Sequence, residues 1–342
     1  MKNIAHVLST GGYSGAEKIA IEICDLLKNK HNFTYICKSG EIEDYLKKKN
    51  IKYLLYKSPK DLIKLLRKNN GFDIVHAHDY AASVICGLFS KGKVISHIHA
   101  NAPFACSLNI KSILFYISSH RIDSILCVSK SIIDEMYFKE KLKNKLKLTY
   151  NWVNIEERYW NESVEKNIDI LFVGRIKEEK DPMFFLEIIR ILVYEKKMKD
   201  IKVYMAGSGP LDYEVRTYIK QNALEKNIKL IGFTNVPHKY MKKSKVFFVP
   251  SRWEGFGLVF LEALVNECAV IAPPVGGIKE IFKDNLENMA IDKNDIINKI
   301  SLLIENNIYR EEYVEQSKHI IERFDMKTNI EKINEYYNII NN

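Results

Sequence analysis

Short apolar runs alternate with amphipathic stretches along this chain, and the alternation begins twice. In the first half the runs fall at residues 3–8, 33–38, 52–55, 73–76, 94–98, 124–128 and 147–150. A second series starts at Ile168 and gives 168–173, 201–206, 228–231, 246–249 and 269–272. Runs this short, separated by helix-length segments, predict parallel β-sheets with helical crossovers. The segment Ala16–Asn29 carries apolar residues at 19, 20, 23, 26 and 27, the spacing of one helix face. The polar, acidic stretch 154–167 separates the two series, and 342 residues suffice for two domains. The expected fold class is α/β: two Rossmann-like α/β/α domains, 1–160 and 161–325, facing a central cleft.

Composition narrows the functional classes. The six cysteines are scattered without a Cys-x-x-Cys pair and mostly sit among aliphatics, as buried thiols of a reduced compartment do. The N-terminal apolar run is too short for a signal peptide and reads as a first strand, and no run reaches the eighteen or so apolar residues of a spanning helix. A cytoplasmic protein is expected. Residues 1–160 hold 25 Lys and Arg against 15 Asp and Glu, whereas residues 161–342 hold 27 against 28. The whole formal charge of +9 therefore belongs to the first half. That asymmetry suits either a lysine-rich soluble surface or attraction to anionic lipid or a phosphate-bearing acceptor. No nucleic-acid motif accompanies it.

The chemistry-bearing residues follow strands. Lys245–Val249 runs into Pro250-Ser251-Arg252-Trp253-Glu254-Gly255-Phe256-Gly257-Leu258, with Glu262 eight residues after Glu254. A strand, a glycine turn and a helix start make a ligand site, because free N–H groups point out of the first helical turn. Read as helix, the eight residues put the two carboxylates about 12 Å apart on one face, too wide for a glycosidase pair and suited to the two ends of an elongated ligand. After Val173-Gly174, Arg175 and Lys180 lie five residues apart before Pro182, placed to converge on one anion at a helix N-terminus. Gly207-Ser208-Gly209 ends another strand. In the first half, Thr10-Gly11-Gly12-Tyr13-Ser14-Gly15 joins a strand to a helix, and its glycines permit positive φ and close ligand approach. Alternation places His76 with His78, and His97 with His99, on common faces. With no acidic or cysteine partner at ligand spacing, zinc is not expected there, and His76 and His97 read as packing residues.

The combination Pro-Ser-x-x-Glu-Gly-Phe-Gly-Leu with Glu-x7-Glu, Arg175/Lys180 and the Gly-Gly loop resembles the retaining nucleotide-sugar glycosyltransferases of family 4, with the GT-B fold. The resemblance extends from residue 9 to about 282. It implies that the terminal segment 326–342 is a helix crossing back onto the N-terminal domain. It implies catalytic roles for Arg175 and Lys180 at the donor diphosphate, for Glu254 at the sugar hydroxyls and for His99 beside the transferred sugar. Donor binding would fall to Gly12, Gly209, Phe233 and Val236 near the base, to the backbone of Gly255, Phe256, Gly257 and Leu258, and to Glu262 at the ribose. The acceptor side would be Gly11, Tyr13, Ser14, Gly15 and His78. The donor is expected to be a UDP-sugar and the acceptor a glycan or lipid-linked glycan. The scheme needs no cofactor and no essential metal, since no Asp-x-Asp pair stands in a suitable context. Two departures stand out: Trp152 and Asn154 replace the glycine and aspartate of an Asn-Gly-Val-Asp turn, and Glu267 and Ala269 replace glycine and proline. Trp at a positive-φ turn would be strained.

Two other readings use the same residues: a UDP-sugar epimerase on this scaffold, and a non-catalytic nucleotide-sugar-binding subunit. Segment 102–120, with Phe104, Leu108, Ile113, Leu114, Phe115 and Ile117, reads either as a core helix or as a contact with lipid at an inner membrane face, which would make the protein peripheral.

Overall fold

The computed structural model describes residues 1–68, 71–155 and 164–339. The chain divides into two compact units, Met1–Trp152 with Met326–Asn342, and Val153–Asp325.

The first unit holds a seven-stranded, all-parallel sheet. Its strands are β1 (Asn3–Val7), β2 (Asn32–Cys37), β3 (Tyr53–Leu55), β4 (Ile74–Ala77), β5 (Lys93–Ile98), β6 (Ser124–Cys127) and β7 (Leu146–Leu148), in the order β3-β2-β1-β4-β5-β6-β7. The second unit holds β8 (Ile168–Val173), β9 (Val203–Ala206), β10 (Ile228–Gly232), β11 (Ser244–Phe248) and β12 (Ala269–Ile271), in the order β10-β9-β8-β11-β12, again all parallel. Both are doubly wound sheets of the Rossmann type, and the strand cores are near-continuous Val, Ile, Leu and Phe because helices cover both faces. In each sheet the order reverses once, between β1 and β4 and between β8 and β11. Ligands of such sheets bind outside the C-terminal strand ends at that point.

The division falls after Trp152, ahead of the expected boundary at 160, and residues 156–163 of the expected linker lie outside the described residues. The physical reason is Trp152 itself. It is fully buried in the first unit, where its indole N–H donates to Glu22 Oε2 at 2.8 Å. It is not among the positive-φ residues, so the strain expected of it does not arise. Val153 belongs to the other unit, where it bridges to Asp325. The helix Met326–Ile339 packs on the first unit: Tyr337 is fully buried, Asn334 bonds His31 at 3.0 Å, and Glu331 pairs with Lys30 at 2.9 Å.

Glu267 accounts for the other departure. After the helix Leu258–Val265 it sits at φ +56, with its N–H on Leu264 O at 2.9 Å and the Cys268 N–H on Ala263 O at 3.0 Å. This is a Schellman ending, whose left-handed residue is ordinarily glycine. The backbone keeps that geometry and the glutamate bears the strain, while Lys166 binds the Glu267 carbonyl at 2.8 Å.

Candidate functional site

In the second unit the loop after β8 and the loop after β11 flank the reversal point and are tied together. The Arg252 side chain donates to Asp181 at 2.8 Å and to Glu178 at 3.0 Å, and its N–H bonds Glu179 O at 2.9 Å. Lys180 forms an ion pair with Glu254, with only 13% and 11% of the two side chains exposed, and the Ser251 hydroxyl donates to Glu254 at 2.9 Å. Two residues predicted to grip different parts of a ligand therefore grip each other. Arg175 is exposed.

Two expectations about this region need correction. The helix begins only at Leu258, because Gly257 at φ +97 interrupts any helical continuation from Glu254. Glu262 thus lies one turn into a helix that excludes Glu254, and the helical spacing argument of 12 Å on one face does not apply. The helix Pro182–Tyr194, moreover, does not offer an open N-terminus to an anion. Asp181 occupies it, at φ +44, accepting from the Phe184 N–H at 3.2 Å. The Leu258–Val265 helix differs: its N-cap is Gly257, with no side chain to occupy the leading N–H groups.

The glycines here are places where backbone meets backbone. A Cβ on Gly276, at φ +49, would lie 1.8 Å from the Glu254 carbonyl oxygen, and one on Gly277 would lie 2.6 Å from Gly255 O. Gly207 and Gly209 pack as closely on Gly174 and Ile176. Gly255, Phe256, Gly257 and Leu258 are buried, Glu262 and Val236 are half-buried, and Phe233 is 54% exposed.

In the first unit, the Thr10–Gly15 loop leaves β1 and His78 follows β4, at the other reversal point. None of the loop's glycines adopts positive φ, contrary to expectation. Gly11 is required for proximity: a Cβ there would meet Ser39 O at 2.3 Å. Gly12 is half-buried, Ser14 and Gly15 are exposed, and the Tyr13 ring stacks on Tyr45 at 3.8 Å. Two residues that sequence reasoning missed organise the loops. Buried Glu17 accepts from the Thr10 and Ser14 hydroxyls. Asp79 caps the Tyr80–Phe89 helix and also accepts from the Ser9 N–H at 2.7 Å, joining the β1 and β4 ends. The signal for Asp79 was its position one residue before a helix; for Glu17 it was the Ser-x-x-Glu spacing from Ser14 at the start of the first helix.

His78 and His99 are not isolated. His6, His76, His78, His97 and His99 form one stack on a single sheet face, joined by His6–His78 (2.8 Å) and His78–His99 (3.1 Å) contacts between ring nitrogens. The Tyr337 hydroxyl meets His76 Nδ1 at 2.7 Å and His6 Nε2 at 3.1 Å. Burial pushes His6 and His99 down to about 3, and His76, His78 and His97 well below the usual imidazole range. All are neutral at pH 7, so none supplies a cation, whereas each offers a lone pair. Treating His76 and His97 as unrelated packing residues missed this assembly, because it is made by strand register and not by spacing along the chain.

Comparison with known proteins agrees with these features. The family model for glycosyl transferases group 1 matches residues 154–320, and that for glycosyltransferase family 4 matches residues 13–157. The chain is 32% identical to an uncharacterised glycosyltransferase of Methanocaldococcus jannaschii, over 86% of this chain and 82% of that protein. It is 29% identical to the capsular polysaccharide biosynthesis glycosyltransferase CapH of Staphylococcus aureus, over 83% and 86%. Among solved structures, Anabaena HepE in complex with UDP-glucose shares the fold at a TM-score of 0.87 and 17% identity, covering 99% of this chain and all of that one. Two doubly wound sheets, the loops at their reversal points and these matches together place the chain in glycosyltransferase family 4, as a transferase with the two-domain GT-B fold.

Proposed function

We propose that the chain moves a sugar, with retention of anomeric configuration, from a UDP-sugar to a hydroxyl of a glycan or lipid-linked glycan in cell-surface polysaccharide assembly. The observation that carries this reading is the tied pair of loops in the second unit, where Lys180, Glu254 and the uncapped N-terminus of the Leu258–Val265 helix lie beside one strand-order reversal. An ion pair already formed between Lys180 and Glu254 holds a phosphate-seeking cation and a hydroxyl-seeking carboxylate ready for the two parts of one sugar diphosphate. Two named proteins support the donor and acceptor classes: an Escherichia coli relative, 26% identical over 88% of this chain, is a UDP-Gal:α-D-GlcNAc-diphosphoundecaprenol α-1,3-galactosyltransferase, and the HepE structure contains UDP-glucose.

In the proposed step the acceptor hydroxyl oxygen bonds the anomeric carbon as the bond from that carbon to the β-phosphate oxygen breaks. The departing oxygen takes the hydroxyl proton on the same face, and UDP leaves. Arg175 and Lys180 stabilise the charge that develops on the diphosphate, so the scheme uses no side-chain nucleophile. Glu254 accepts from hydroxyls of the transferred sugar and Glu262 from the ribose. Gly255 to Leu258 donate backbone N–H groups, Gly209, Phe233 and Val236 receive the nucleotide, and neutral His99 orients a sugar hydroxyl. Gly12 faces the donor, and Gly11, Tyr13, Ser14, Gly15 and His78 serve the acceptor side. Arg175→Ala and Glu262→Ala, assayed by UDP release, are each expected to lower turnover at least about 10²-fold. Near wild-type rates for both would refute the assignment.

The acceptor reading includes contact with an anionic membrane. Ile110, Ile113, Leu114 and Ile117 line one side of the Ile110–Ser119 helix at 74%, 38%, 42% and 50% exposure, while Phe115 and Ser118 on the other side are buried. Beside it runs a segment with lysines at 139, 141, 143, 145 and 147; Lys141 stands over the Tyr116 ring at 5.4 Å. An apolar face edged with lysines suits shallow insertion at a headgroup layer. No helix of the described residues is long and apolar enough to cross a membrane. Flotation with phosphatidylglycerol vesicles is expected to carry the wild type, and Ile113→Glu/Ile117→Glu is expected to stay in the dense fraction. Equal flotation of both would exclude this face.

A further inference from the structure

We propose that His78, His97 and His99 form a binding site for one divalent transition-metal ion of the zinc class. Strand register builds it. His6 lies opposite His76 across β1 and β4, and Ala77 lies opposite Ser96 across β4 and β5, so the next step brings His78 beside His97. Alternation then keeps His97 and His99 on the face of His76 and His78. One ring nitrogen from each of His78, His97 and His99 lies within 4.8 Å of the others, and the His78 Nδ1 and His99 Nε2 pair is at 3.1 Å. A tetrahedral ion with metal–nitrogen bonds of about 2.0–2.1 Å spaces its ligand nitrogens by about 3.3 Å, so small ring rotations complete the set.

Three further observations favour an ion here. His97 is fully buried, and both of its ring nitrogens lack a hydrogen-bond partner among the described residues. Neutral imidazoles rarely remain so in a core, and coordination would satisfy one nitrogen. His78 has the outer support that metal-bound histidines use: with Nδ1 on the ion, its Nε2–H donates to His6 Nδ1, and His6 Nε2–H donates in turn to Tyr337. His99 is half-buried, so the set reaches the edge of the core at that residue. The overlapping set His6, His76 and His78 is entirely buried, and Tyr337 already engages His6 and His76. A site of three imidazoles and no carboxylate selects zinc, cobalt, nickel or copper over magnesium or calcium. The absence of an acidic or cysteine neighbour therefore does not count against it. His97 has no part in the proposed sugar transfer, whereas an ion held by His78 and His99 would take the place of their sugar-side roles and leave the Lys180–Glu254 site of the second unit untouched; zinc uptake and UDP release therefore fail separately.

The test uses tag-free, full-length protein, stripped with chelator and dialysed. Zinc alone is titrated by calorimetry and cobalt(II) alone by visible absorption. The expected result is one ion per chain, the strong visible bands of tetrahedral cobalt, and at least about a 100-fold loss of zinc affinity in His97→Gln. Exposed His120→Gln is expected to bind as the wild type does. Absence of both zinc uptake and tetrahedral cobalt bands in the wild type would overturn the proposal, whether or not the variant folds. So would undiminished zinc affinity in a natively melting His97→Gln.

Discussion

Replacing Gly276 with alanine tests whether the Glu254 loop depends on backbone contact. Gly276 is at φ +49, and an added Cβ would stand 1.8 Å from the Glu254 carbonyl oxygen. Two costs combine. A Cβ in the left-handed region costs about 1–2 kcal/mol, offset by about 0.5–1 kcal/mol because alanine loses less chain entropy on folding. Relief of the overlap requires a retreat of about 1.6 Å to ordinary contact, and forced repacking of this kind adds about 1–3 kcal/mol. Gly71→Ala isolates the first cost, since Gly71 is at φ +69 with nothing among the described residues within 4 Å of an added Cβ. By calorimetry, Gly71→Ala is expected to lower its unit's melting temperature by about 2–4 °C, and Gly276→Ala to lower that of the second unit by about 5–12 °C. Because the retreating atom belongs to Glu254, Gly276→Ala should also lose about 10²-fold in UDP release, the usual penalty of misplacing a site group by 1 Å or more. Equal melting shifts for the two variants, with transfer intact in Gly276→Ala, would refute the claim that this close approach holds the loop.

Glu267→Gly is expected to stabilise the second unit by about 0.5–1 kcal/mol, because glycine removes the left-handed strain at the Schellman position; urea unfolding checks it, and a loss of stability would show that the Glu267 side chain outweighs the strain. Lys180→Met leaves the mostly buried Glu254 carboxylate without its cation and is expected to cost about 2 kcal/mol. Lys180→Met/Glu254→Gln should recover at least half of that loss while staying inactive in UDP release. Additive costs in the double variant would mean the pair is not coupled.

The strands were legible because burial on both sheet faces makes each one a short unbroken apolar run, and those runs fall within a residue or two of β1 to β12. The expected end of the first unit missed by eight residues because Trp152 looks like an intruder in a glycine turn. Only its burial and its bond to Glu22 reveal it as the last anchor of the first unit. Glu267 shows the opposite limit. Glutamate stands where the family resemblance has glycine, yet the ending is fixed by the Ala263 and Leu264 carbonyls that it must satisfy, and the side chain yields.

The site divides along the same line. What sequence carries well is a residue type attached to a strand end, as with Arg175, Lys180, Glu254 and the Gly11 loop, because in a doubly wound sheet the strand end is already the place where ligands bind. What it carries poorly is pairing between loops. Lys180 with Glu254 spans 74 residues, and Asp79 with Ser9 spans 70. Both pairs bridge a reversal point, β8 to β11 and β4 to β1, where two strands distant in sequence lie side by side with no helix between their C-terminal ends. A charged residue on either loop there meets the other loop first, unless a ligand intervenes. The histidine stack obeys the same geometry, since β1, β4 and β5 become neighbours only through the strand order. The pairings hidden from sequence analysis in this chain are therefore concentrated at the two reversal points, and under the proposed function a donor has to part Lys180 from Glu254.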